Sequence, residues 1–179
     1  IIPSEHPENQ VTTAGFDEVS IDGQGPVGLE LVKTDDDVAT IEYLNVEHED
    51  HFVVDQSVEG NRLTITVTNT GPQNGINVQF DPEDYKNVIR VYIPDITYQK
   101  FDVNAYEMVI QMEDFRAPVQ ATGERGGIYL KDASISQGTY DIDVQNGPVS
   151  IEAATIASNM NVHVKNGPIT LLFQEQPRN

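Results

Sequence analysis

The chain has 179 residues, a length that favours one domain with a core of ordinary size. Twenty-nine acidic side chains against ten basic ones leave a formal charge of −19. Such a charge repels phosphate backbones and anionic lipid heads, which argues against nucleic acid or a membrane surface as partner. Cysteine is absent, which excludes a disulfide frame, a thiolate zinc site and a cysteine nucleophile.

Residues 1–10 (Ile1 to Gln10) lack the basic start and apolar stretch of a signal peptide and read as a flexible leader. The chain begins without Met, so a signal or anchor is expected upstream in the full-length gene. No run of about 18 apolar residues occurs, so no bilayer-spanning helix is expected within the chain.

From residue 11 onward the hydrophobic period is two, the signature of half-buried strands. Val19-Ser20-Ile21-Asp22 leads into a Gly25-Pro26-Val27 corner. Leu29–Val32 and Val38–Tyr43 flank Asp35-Asp36-Asp37 as strand, turn and strand. Leu63, Ile65 and Val67 alternate with threonines, and Glu59-Gly60-Asn61-Arg62 predicts a hairpin with Phe52–Val58. Ile89, Val91 and Ile93 alternate and stop at Pro94.

The C-terminal part repeats. The stretch from Asp141 to Ile151 recurs, 20 residues on, as Asn161 to Leu171, with Asn146-Gly147-Pro148 matching Asn166-Gly167-Pro168. Weaker copies begin around Met108 and Ile128. Asn and Gly tolerate left-handed backbone angles and Pro fixes φ, so each unit reads as two short strands joined by a corner. A strand-rich period near 20 predicts an all-β fold, a β-solenoid of the single-stranded β-helix kind, with hairpins elaborating its N-terminal part. Residues 11–173 are expected to form this single domain, followed by a polar tail at 174–179. The inward ladder is expected to hold Ile142, Val144, Val149, Ile151, Val162, Val164, Ile169 and Leu171. Phe173 and the tail, or a second chain, are expected to cover the last coil.

Phe16-Asp17-Glu18-Val19-Ser20-Ile21, Asn61-Arg62-Leu63-Thr64-Ile65, Val91-Tyr92-Ile93-Pro94 and the Asn-Gly-Pro corners together resemble the bacterial "putative adhesin" domains, which are head GIN adhesin-like. The resemblance spans residues 11–173. It implies an exported β-helix-like domain, often tethered beyond a transmembrane helix or signal peptide, and carries no catalytic residues with it. The family writes its corners Gly-Asp or Gly-Gly where this chain has Gly-Pro.

Four motifs bear on chemistry. Gly23-Gln24-Gly25-Pro26-Val27-Gly28 fits the dinucleotide fingerprint, but Leu29-Glu30-Leu31 continues as a strand where a helix is needed. Asp141, Asp143, Gln145 and Glu152 match calcium-loop spacing, but Asn146 stands where the turn needs Gly. Glu47-His48-Glu49-Asp50-His51 clusters ligand types, yet a strand-to-strand turn would split His48 from His51 and leave a solvated acidic loop. Tyr129, Tyr106 and Tyr140 are candidates to stack on sugar rings.

No catalytic, cofactor-binding or metal-ligating residue is therefore expected, and no cofactor. The function expected is a non-catalytic, exported cell-surface domain, adhesion-like or ligand-presenting, that meets an unknown protein or glycan. The alternatives are a polysaccharide-processing enzyme, which needs two carboxyls in a cleft, and a sensor domain of an envelope signalling system.

Overall fold

The computed structural model describes residues 11–13, 15–44, 49–71, 88–135, 139–156 and 159–173. The chain is all-β. Strands β1 (Val11–Thr13), β2 (Glu18–Thr34), β3 (Val38–Leu44), β4 (Phe52–Glu59), β5 (Arg62–Asn69), β6 (Val88–Pro94) and β7 (Lys100–Met112) come first. They are followed by β8 (Val119–Glu124), β9 (Gly127–Ile135), β10 (Thr139–Asn146), β11 (Val149–Ile156), β12 (Asn159–Asn166) and β13 (Ile169–Phe173). A 3-10 turn at Glu49–His51 is the one helical element among the described residues. The leader and the polar tail lie outside them.

All 13 strands belong to one mixed sheet, whose pairings fall into two rows. The first runs β4-β5-β2-β7-β8-β10-β12; the second runs β1-β3-β6-β2-β7-β9-β11-β13. The long strands β2 and β7 pass through both. Pairing is parallel from β5 to β12 and from β6 to β13, and antiparallel only where β4, β3 and β1 are added. Phe101 lies beside Val119, Val119 beside Tyr140, and Tyr140 beside Met160, so the chain returns beside itself every 18 to 21 residues. The topology is that of an open mixed sheet, which is coarser than the solenoid expected from the repeat.

Alternation places the core. Ile65, Ile21, Val103, Ala121 and Ile142 are cross-strand neighbours and all buried. Ile89, Leu29, Ile110, Ile128 and Val149 do the same in the second row. Phe16, Tyr98, Phe101 and Phe115 form a chain of ring contacts with neighbouring centroids 4.6 to 6.1 Å apart, stacked except for the edge-on Tyr98–Phe101 pair. No charged side chain is buried among the described residues.

Of the expected inward ladder, Ile142, Val144, Val149 and Ile151 are buried, and Val162 and Val164 pack partly against them. Ile169 and Leu171 are exposed, because among the described residues no strand lies beyond β13. Phe173 does not cover the end: it is itself exposed. The expected β4–β5 hairpin forms, its register running from Phe52 opposite Asn69 to Glu59 opposite Arg62. The strands on either side of Asp35–Asp37 do not pair with each other, because β6 lies between β2 and β3.

Candidate functional site

Residues of opposite parity to the core form a polar face across the first row. Register sets Asp55, Thr66, Asp22, Asn104, Thr122, Asp143 and His163 side by side on seven consecutive strands. A parallel line runs through Ser20, Asp102, Gln120, Asp141 and Asn161. Thr68, Gln24, Tyr106 and Glu124 form a third. Strands lie about 4.8 Å apart, so each line is a regularly spaced ladder of hydrogen-bonding groups.

The rungs are tied to one another. The Asn104 amide donates to Asp22 at 3.2 Å, and the Thr122 hydroxyl donates to Asn104 at 2.5 Å. Asn161 donates to Asp141 at 2.8 Å and Asn166 to Asn146 at 3.0 Å. Between the lines lies an open groove of about 650 Å³, lined by Asp22, Gln24, Asn104, Tyr106, Thr122 and Asp143 among others. A second, of about 530 Å³, continues it over Gln120, Asp141, Asn161 and His163. Tyr106 is exposed, with the Arg125 guanidinium 5.9 Å from its ring centroid. Arg125 is held in place by Glu107 at 3.1 Å, and that hydrogen bond raises the pKa of its guanidinium further. Both Glu107 and Arg125 adopt left-handed backbone angles, φ 55° and 56°, at successive corners of the chain.

The second row carries ion pairs instead. Arg90 bonds Glu30 at 2.8 Å and the Tyr92 hydroxyl at 3.3 Å, while Tyr92 donates to Glu42 at 2.9 Å. Lys33 reaches Asp114 at 2.9 Å. These partners raise the Arg90 pKa, through Tyr92 first and Glu30 after it. Arg90, Glu30, Tyr92 and Glu42 are cross-strand pairs of the kind that stabilise a sheet.

The sequence candidates fall as follows. Gly23 to Gly28 lie within strand β2, so no helix N-terminus follows them. Asp141 and Asp143 sit on β10 and Glu152 on β11, on opposite sides of the Asn146-Gly147-Pro148 corner. Glu47 and His48 lie outside the described residues, and His51 ends the 3-10 turn. Among the described residues no three His, Asp or Glu side chains are grouped to hold a metal. Tyr106 and Tyr129 are at least partly exposed, but Tyr140 is buried, its hydroxyl donating to the Phe115 carbonyl at 2.7 Å. Asn104, Thr122 and Glu124 belong to none of the motifs above, and Gln24 enters only as a variable position of the glycine motif. Their place on the face follows from strand parity and register alone.

No family model matches the chain, and no curated protein sequence matches it. Among solved structures, one described as a putative cell adhesion protein from Clostridium sporogenes superposes with a TM-score of 0.61. The match covers 92% of this chain and 98% of that one, at 9% identity. The two share a fold. At that identity the likeness carries the architecture and not the ligand. No helix among the described residues is long and apolar enough to cross a membrane.

Proposed function

We propose that this chain is a non-catalytic, exported cell-surface domain of the adhesin-like kind, a β-solenoid that binds a protein or glycan through the polar face of its first row. The observation that supports this reading is the fold shared with a protein described as a putative cell adhesion protein, over nearly the whole of both chains. The face supports it in kind. It is long and regular, it offers amide, hydroxyl and carboxylate groups in lines, and it has an exposed aromatic ring at Tyr106. Carbohydrate recognition uses such a pairing of planar hydrogen-bonding groups with a ring to stack on. The carboxylates here are spread along ladders and bonded to neighbouring amides, which suits binding better than acid–base work.

The test is retention of purified cell-wall and capsular polysaccharides, and of intact cells, on the immobilised chain. Saturable retention that falls at least tenfold in Tyr106→Ala, Asn104→Ala is expected. Release of new reducing ends from any polysaccharide would replace the reading with that of an enzyme, and absence of retention on every probe would end it.

A further inference from the structure

The two ends of the sheet differ in charge and share exposed apolar side chains. At the C-terminal end, β13 leaves Ile169, Leu171, Leu172 and Phe173 exposed at 46 to 56%. At the other end, edge strand β4 exposes Val53 at 47% and Val58 at 39%. These six are most of the large exposed apolar side chains among the described residues; Ile96 and Tyr106 complete the set. Isolated exposed apolar residues, such as Val53 and Val58, need no explanation, but four together on the edge strand β13 do.

The backbone is equally unfinished at β12 and β13. Gly126 and Ile128 donate their amides to Asn146 and Pro148 of the next turn of chain, and Gly147 and Val149 donate to Asn166 and Pro168. The same alternation aims the amides of Gly167 and Ile169 at the edge of the sheet, where no strand follows among the described residues. A parallel row ending this way is a template for another strand.

Charge indicates which strand it accepts. Residues 153–174 contain no Asp or Glu, in a chain that has 29 elsewhere, and β12 carries His163 and Lys165. The β4 strand has the reverse balance, with Asp55 and Glu59 and no base. Both strands are eight residues long and both are edges of the first row. Asp55 and His163 lie on the same outward line of that row. Two C-terminal ends meeting each other would oppose Lys165 and His163 to their own copies and leave Val53 and Val58 in water.

We propose that copies of this chain associate head to tail, the β12–β13 end of one against the β4 end of the next, extending the sheet antiparallel across the contact. The contact is heterologous, so it propagates into a row or closes a ring, and it does not stop at two. This goes beyond the adhesion reading and does not depend on it.

The experiment is sedimentation of the 179-residue chain over about a thousandfold range of concentration, at about 0.15 M salt to screen the overall negative charge. The average mass is expected to climb past that of a dimer. Lys165→Glu alone, and Asp55→Lys, Glu59→Lys alone, should each weaken association at least tenfold. All three positions are exposed, and circular dichroism checks that both variants fold. An equimolar mixture of the two should associate again, because each reversed end meets its reversed partner. A wild-type chain that stays monomeric throughout would overturn the proposal. So would a mass that stops at the dimer with no rescue in the mixture, which would mean that like ends pair.

Discussion

Gly147 lies so close to Gly126 that a β-carbon on it would fall on the Gly126 carbonyl oxygen. Gly126 in turn donates its amide to Asn146 at 3.1 Å, so the two corners are stacked backbone on backbone. Gly147 also has φ 152°, a region costly for any residue with a side chain. Gly147→Ala should therefore destabilise the chain by about 2–4 kcal/mol, through both the clash and the strained backbone. Gly60, at φ 61° in the β4–β5 turn, has open space around it. Gly60→Ala should cost only about 1 kcal/mol. Urea denaturation of the two variants side by side measures the difference, and equal losses would mean that the corners are not in contact.

The inward ladder should weaken toward its open end. Val144 is fully buried, and Val144→Ala should cost about 1–3 kcal/mol. Val164 sits one strand further out and is half-buried, so Val164→Ala should cost less. Leu171 is exposed, and Leu171→Ala should change the stability of the isolated chain by no more than about 0.5 kcal/mol. Denaturation at a concentration too low for association checks the order, and a large loss at Leu171 would show that its end is covered.

Alkali should unfold the protein through two tyrosines. Burial holds the Tyr98 hydroxyl well above the ordinary tyrosine range, with Asp95 adding to the effect. Burial also raises Tyr140, with the charge of Asp114 adding to the effect. An unfolded chain loses these protons near pH 10, before the folded one does. Stability is thus complete below that pH and falls as pH rises beyond it. Lys33 acts in the same sense. Burial lowers its pKa, but the hydrogen bond and charge of Asp114, with Asp95 and Glu113, leave it raised. Tyrosinate absorbance of Tyr98 and Tyr140 should therefore appear only with loss of the β signal in circular dichroism. Tyr98→Phe, Tyr140→Phe should flatten the stability curve above pH 10. Titration of both tyrosines in an intact fold would count against their burial.

Salt should raise the melting temperature modestly by relieving the self-repulsion of a chain at −19. Calcium should add little at matched ionic strength. A specific site would instead stabilise by about 2.7 kcal/mol at a hundredfold excess over its dissociation constant. A calcium-only shift removed by Asp141→Asn, Asp143→Asn would turn the outward ladder into a binding loop.

The pairings of β10 with β12 and β11 with β13 were legible because the chain copies itself, corner included, so equivalent residues had to stack. The pairing of β2 with β7 was not. Val19 and Phe101 are neighbours across 82 residues, and nothing local marks the excursion through β3 to β6 as an insertion between them. Turn chemistry at Asp35–Asp37 says that the chain reverses there but not which strand it lands beside, and β6 takes the place that a hairpin partner would hold. Tyr140 shares the parity of the buried Ile142 and Val144 and lies inward with them, so strand parity outweighs its place near a corner. The polar face was the least legible, since Asp22, Asn104 and Thr122 meet only through register over long separations.

The described chain starts in β1 and finishes in β13, at opposite edges of the second row. Tension applied between those two points would therefore load the interstrand hydrogen bonds successively. β13 would peel from β11 and β1 from β3 before any inner pair is strained. A pull along the strand direction would shear many bonds at once and meet far greater resistance. If this domain hangs between a cell and its target, the direction of the tether decides whether it behaves as a zipper or as a clamp.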